Sequence, residues 1–286
     1  MSASVKSFFD PVTATITHVV HDGPSSACAI VDPVLDYDRA SGRTATASAD
    51  RVLSYVRDKD LQVEWILETH VHADHLSAAA YLKGRCGARV GIGEHVLAVQ
   101  RVFQPIFNLE PQFRPDGSQF DRLFADGEAF ALGRLSVEVM HVPGHTPACV
   151  AYRVGDRVFV GDTIFRPDVG SARCDFPGGD SQRLYRSARR LLSLPDETRL
   201  YLCHDYPPRG RKLRFVATVA EQRRGNIHLR DSIGQDEFVA LRTRRDANLP
   251  MPELILPSIQ VNIRAGALPP AESNGVRYLK IPLDTL

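Results

Sequence analysis

Histidine and aspartate gather in four short stretches of this 286-residue chain: His70-Val71-His72-Ala73-Asp74-His75, Gly144-His145-Thr146, Gly161-Asp162-Thr163 and His204-Asp205-Tyr206. Half of the 10 histidines fall there. At that histidine content the pattern His-x-His-x-x-His arises by chance in roughly 1% of chains this long, and the further loops reduce the chance again. Metal binding is the economical explanation, since imidazole and carboxylate together suit zinc, iron or manganese. His70 and His72 alternate on extended backbone and face one way, whereas Asp74 and His75 begin the next turn and can face a neighbouring point. His18, His21, His95 and His228 stand alone and read as hydrogen-bonding residues. Five cysteines are scattered without a Cys-x-x-Cys pair, which indicates neither a disulfide framework nor a cysteine zinc site. They read as buried thiols, including Cys203 beside His204.

Each polar stretch follows a segment with strand character. Residues 63–67 form an apolar run that leads directly into the His70 loop, and 135–141 alternates before Pro143-Gly144-His145. Residues 149–154 and 157–160 are joined by Gly155-Asp156, a pair suited to a two-residue hairpin, and run into Gly161-Asp162. Residues 199–202 precede His204. Further strands are expected at 13–20 and at 28–31, the latter closed by Asp32-Pro33. Helical spacing predicts helices at 48–59, 76–83 (stopped by Gly84), 181–192 and 215–224. Mixed strands and helices imply a layered α/β protein whose strand ends converge on one polar edge.

Composition narrows the class of function. With 43% hydrophobic and 24% charged residues the chain has the profile of a globular protein. Lys and Arg number 35 against 34 Asp and Glu, so the net charge of +1 supplies no global field for nucleic acid or an anionic membrane. No stretch approaches the ~20 apolar residues of a membrane helix, and the first residues lack the apolar run of a secretory signal. A cytoplasmic enzyme acting on a small molecule, without nucleic-acid or membrane partners, is the expectation.

The four stretches, read as Thr-His-Val-His-Ala-Asp-His (69–75), Pro-Gly-His-Thr (143–146), Gly-Asp-Thr-Ile-Phe (161–165) and His-Asp-Tyr (204–206), resemble the metallo-β-lactamase superfamily. The resemblance implies an αββα sandwich, with two mixed sheets face to face, helices outside and a metal site at the shared edge. Within the superfamily the chain is most similar to the glutathione persulfide dioxygenases, also called sulfur dioxygenases. The segments Ala172-Arg173-Cys174-Asp175-Phe176, His204-Asp205-Tyr206, Asn248-Leu249-Pro250-Met251-Pro252 and Asn262-Ile263-Arg264-Ala265-Gly266 carry that likeness over nearly the whole chain. Glyoxalase II, a thioester hydrolase, usually has Glu-Tyr-Thr after its last histidine, where this chain has Asp205-Tyr206-Pro207. Two departures from the dioxygenase pattern, Pro147-Ala148 for Pro-Gly and Ser171-Ala172 for Cys-Gly, touch no expected ligand.

Two stoichiometries fit the same seven residues. In a dinuclear hydrolase His70, His72 and His145 hold one ion, Asp74, His75 and His204 the other, and Asp162 bridges them. The dioxygenase likeness instead implies one Fe(II) per chain on His70, His145 and Asp162, two histidines and a carboxylate on one face with open positions for O2 and substrate. His72, Asp74, His75, His204 and Tyr206 then orient ligands and bound water. Zinc has no accessible redox change, so oxygen insertion requires the iron assignment. The same likeness implies glutathione persulfide as substrate, sulfite and glutathione as products, and a homodimer. Glutathione's carboxylates call for guanidinium groups. Arg173 and Arg214 are the candidates, with Arg209, Arg211 and Lys212 beside the latter; Arg173 can equally pair with Asp175 or Asp205. Residues 1–286 are expected to form one domain, with 225–286 a C-terminal extension packed on its core.

Overall fold

A computed structural model of the chain describes residues 3–285. Its elements are β1 (Ser4–Phe9), β2 (Ile16–His21), β3 (Ala27–Val31), β4 (Val34–Asp38), β5 (Arg43–Ala45), α1 (Ala47–Asp58), β6 (Gln62–Leu67), β7 (Leu76–Ser77), α2 (Ala79–Cys86), β8 (Arg89–Gly93), α3 (Val96–Ile106) and β9 (Arg122–Phe124). The second half adds β10 (Ala129–Leu132), β11 (Leu135–His141), β12 (Val150–Val154), β13 (Arg157–Phe159), α4 (Ser181–Leu192), β14 (Arg199–Tyr201), β15 (Val216–Thr218), α5 (Val219–Gly225), α6 (Gln235–Asp246) and α7 (Ile255–Asn262).

Two six-stranded mixed sheets result, in the orders β1-β2-β3-β6-β8-β9 and β10-β11-β12-β13-β14-β15. Strand periodicity explains why they stack. Val20, Ala29, Val31, Trp65 and Leu67 point from the first sheet to Val137, Val139, Tyr152 and Phe159 of the second, forming the core between the sheets. Their sequence neighbours Val19, Cys28, Ile30 and Ile66 point the other way and pack under α1, α2, α3 and α7. Ala151, Val158 and Leu200 do the same on the second sheet, beneath α4, α5 and α6. Strands buried on both faces read as continuous apolar runs, and helices must cover both outer surfaces. The architecture is therefore αββα.

Three elements differ from the sequence expectation. In place of a helix from residue 76, Leu76 and Ser77 pair with β4, and α2 starts at Ala79, keeps Gly84 inside and ends at Gly87 with φ 67°. A glycine inside a helix costs only about 1 kcal/mol, whereas the left-handed C-terminal position selects glycine. The expected helix 215–224 begins as β15 on the edge of the second sheet. Thr218 then caps α5, in a reciprocal capping box with Glu221. The strand expected from residue 13 starts at Ile16, because Ala14 sits at φ 56°.

The segment after 225 packs on both outer layers. Phe238 of α6 joins the core under α4, and Ile255, Ile259 and Val261 of α7 join the core under α1–α3. The loop between α6 and α7 also walls a cavity at the sheet edge, so it covers the site as well as packing on the core.

Candidate metal centre

The polar stretches converge at one edge of the sandwich. β6 delivers residues 68–75, β11 delivers His145, β13 delivers Asp162 and β14 delivers His204. Polar side chains are affordable there because strand ends leave the sheet ladder, yet His70, His72, His75, His145 and His204 are all buried. Single potential ligand atoms of His70, His145 and Asp162 lie within 4.8 Å of one another, as do those of His72, Asp74 and His75. Asp162 Oδ2 is 3.9 Å from His70 Nε2 and 3.7 Å from His145 Nε2. Two atoms that each bind one ion at about 2.1 Å can be at most about 4.2 Å apart, so these spacings admit a shared ion. The other carboxylate oxygen, Oδ1, is 3.3 Å from His204 Nε2, which is 3.1 Å from Asp74 Oδ2. Asp162 thus stands between two donor sets, and the arrangement accommodates either stoichiometry.

The hydrogen bonds show that the site is built for a cation. His145 Nδ1 lies 2.7 Å from the Arg173 carbonyl, His75 Nδ1 lies 3.2 Å from that of Leu76, and His204 Nδ1 lies 3.2 Å from that of Ala14. A carbonyl only accepts, so each Nδ1 carries a hydrogen and Nε2 is the nitrogen turned inward. Burial holds His70 well below the ordinary histidine range and His75 down at about 3, with neighbouring imidazoles adding to the effect, so both rings are neutral. His70 Nε2, His75 Nε2, His204 Nε2 and Asp162 Oδ1 have no hydrogen-bond partner. Lone pairs aimed at one another and at carboxylate oxygens repel unless a cation lies among them. The donor set fits a divalent metal.

His72 is turned the other way. Its Nε2 is 3.0 Å from Asp32 Oδ1 and 3.3 Å from Glu68 Oε2, and its Nδ1 is the atom left without a partner. Burial disfavours its charged form, yet Asp32 and Glu68 together hold it well above the ordinary range. Asp32 reaches it from the end of β3 in a left-handed conformation (φ 50°) and also accepts from Thr69 N and Thr69 Oγ1. Sequence reading missed Asp32 and Glu68. Their signals were a polar residue closing the buried β3, and an acid directly before Thr69-His70.

The remaining candidates separate. Tyr206 stacks on His204 with centroids 5.6 Å apart and meets Phe165 edge-on. Arg173 lines the cavity over the site, where it clamps Asp175 through two hydrogen bonds of 2.6 Å and donates a third to Pro250 O, and its own carbonyl accepts from His145. Phe176, from the same segment, packs its edge against His145. Arg214 does not line the cavity; its side chain is exposed, and its backbone N–H bonds Asp205. Arg209, Arg211 and Lys212 are also absent from the lining, and Arg211 is paired with Asp205 and Asp168. Cys203 is a buried thiol pushed well above the usual range by burial and nearby carboxylates. His18, His21 and His228 are hydrogen-bonded, and His95 stacks on His141.

A cavity of about 780 Å³ opens over Asp74, His145 and Asp162, within the ~300–1,000 Å³ of small-molecule sites. Phe165, Phe176, Leu249 and Leu254 form apolar walls. At the mouth Arg39 pairs with Glu253 at 2.8 Å, and Arg245 also faces the cavity.

Residues 15–204 match the profile of the metallo-beta-lactamase superfamily. A probable metallo-hydrolase of Burkholderia pseudomallei is 57% identical, the match covering 99% of this chain and all of that protein. Glyoxylase B2 of Dictyostelium discoideum is 52% identical over 99% and 98% of the two chains. The human mitochondrial persulfide dioxygenase ETHE1 is 29% identical over 93% and 90%. The crystal structure of ETHE1 from Myxococcus xanthus superposes with a TM-score of 0.73 at 30% identity, covering 92% of this chain and all of that one.

Proposed function

The chain belongs to the metallo-β-lactamase superfamily, and from that premise we propose that it is an Fe(II)-dependent persulfide dioxygenase that converts glutathione persulfide, O2 and water to sulfite and glutathione. The observation that carries the reading is the grouping of His70, His145 and Asp162, of which His145 and Asp162 line the open cavity and His70 lies buried beside them. Two imidazoles and one carboxylate on one side leave positions for other molecules on the other. When bound, ferrous iron supplies the electron transfer that activates O2, which zinc cannot. The likeness to persulfide dioxygenases over more than nine-tenths of the chain supports the same reading.

The protein's part is positioning. Arg173 O fixes the His145 tautomer, and Thr69 Oγ1, 3.0 Å from His70 Nδ1, does the same for His70. A proton and a metal cannot share His72 Nδ1. In the one-iron reading His72 keeps that proton and stays a hydrogen-bonding group near the iron, whereas in a two-ion site an ion takes its place and Asp32 and Glu68 hold the ring through Nε2. Phe165 and Phe176 keep water from the persulfide sulfur, and the mouth has cations in Arg39 and Arg245 for carboxylates of the thiol carrier.

A dinuclear thioester hydrolase is the second reading. The grouping of His72, Asp74 and His75 and the likeness to a glyoxylase favour it. Iron-loaded protein given glutathione persulfide in an oxygen electrode is expected to consume O2 and release sulfite. Absence of O2 uptake together with cleavage of S-lactoylglutathione would overturn the dioxygenase in favour of the hydrolase.

A further inference from the structure

Asn262, the last residue of α7, lies far along the chain from the four metal-binding stretches and outside the family match, yet it touches the first of them. Its side chain is buried and its amide is fully used. Nδ2 donates to His72 O at 2.9 Å and to His75 O at 2.8 Å, and Oδ1 accepts from Ser77 N at 2.7 Å. Both donors therefore fall on the loop that carries His72, Asp74 and His75, and the acceptor falls on β7, which ends it. This loop has no regular ladder of its own between β6 and β7, so its carbonyls need partners from elsewhere. The chain after α7 presses on the same place: a Cβ on Gly266 would come within 2.8 Å of Ser77 O and 3.0 Å of Ala79 N. Asn262 is itself held where α7 is anchored by Ile259 and Val261 in the core and by Gln100 Nε2 on Ile263 O.

We propose that Asn262 is a positioning residue of the metal centre, fixing through the His72 and His75 carbonyls the shape of the loop that carries His70, His72 and His75. A polar side chain with two bonds on a loop and a third on the strand that ends it determines that loop's shape, and hydrogen-bonding groups around metal ligands typically govern affinity by 10- to 100-fold. The inference rests on the reading of this site as a metal centre but not on oxygen chemistry or on the number of ions, because His70, on the same loop, is a ligand with either one ion or two.

The test uses the full chain stripped of metal and reloaded with Co(II). Affinity is read by chelator competition, coordination by the visible spectrum, and the melting temperature of the metal-free protein is read separately. Asn262→Ala is expected to weaken Co(II) binding 10- to 100-fold and to shift the visible bands. Val261→Ala, which removes core packing from the same helix, is expected to lower the melting temperature and leave affinity and spectrum unchanged. Should Asn262→Ala fail to fold, Asn262→Asp serves: it keeps the acceptor for Ser77 N–H and sets an oxygen against the two carbonyls, with the same expected loss. Wild-type affinity and spectrum in the Asn262 variants, or equal metal loss in Val261→Ala, would overturn the proposal alone. A wild-type protein that takes up no metal would overturn it together with the metal-centre reading.

Discussion

At the scale of single residues, Asp162 and His72 distinguish the two stoichiometries. Asp162 contributes to both donor sets, and burial pushes its carboxyl above the usual range while His204 and His145 pull it back. Asp162→Ala is expected to abolish metal binding. His72 holds Asp32 and Glu68 through Nε2 and has only Nδ1 free, and under the one-iron reading, in which no ion takes Nδ1, His72→Ala is expected to keep most of the iron while turnover falls. Metal analysis of both variants checks this; equal stripping by the two substitutions would place His72 among the ligands and favour two ions. The types and spacing of these residues were legible in the sequence. Asp32 and Glu68 were not, since an isolated carboxylate has no meaning until the fold sets an imidazole within 3.3 Å of it.

At the scale of elements, two glycines leave room for close approach where the site is assembled, one to a backbone and one to a side chain. Gly144 (φ 141°) lies against the start of α4, and a Cβ there would overlap Leu184 N at 2.2 Å. Gly144→Ala is expected to cost on the order of 3 kcal/mol and to displace His145. Gly161 (φ 50°) has its would-be Cβ 2.6 Å from Thr69 Oγ1, the atom that bonds Asp32 and faces His70. Gly161→Ala is expected to cost about 1–2 kcal/mol of stability and to weaken metal binding disproportionately. Asp180 offers the contrast: it caps α4 through Arg183 N at 2.9 Å, and Asp180→Ala should cost about 1 kcal/mol with metal affinity intact. Urea titration with metal analysis separates the three. The strand-to-loop order was visible in the sequence. The short β7 and β15 were not, because two or three residues carry too little periodicity and owe their extended form to a neighbouring strand.

At the scale of the whole molecule, His18 ties the two sheets together. It lies on β2, donates from Nε2 to Leu202 O across the sandwich and accepts from Ser7 Oγ at Nδ1. Burial lowers it from 6.5 to about 4, so in the fold it stays neutral where the unfolded chain is already protonated. Its stabilisation is therefore complete above pH 6.5 and is lost as pH falls from 6.5 toward 4, by about 3 kcal/mol in all. Metal-free protein unfolded in urea at pH 5 and pH 7 should be more stable at pH 7, and His18→Gln should shrink that difference. No helix among the described residues is long and apolar enough to cross a membrane.

The amino-acid sequence determined the metal-binding stretches, the strands that end in them and the layered class, since these depend on residue type and on repeats of two or 3.6 residues along the chain. Only the tertiary structure decided which nitrogen of each histidine faces inward, which arginines reach the cavity and that Asn262 holds the His72 loop. These are relations between residues as much as 190 positions apart. They exist only once burial removes water as the competing partner and each polar group must find its bond within the protein.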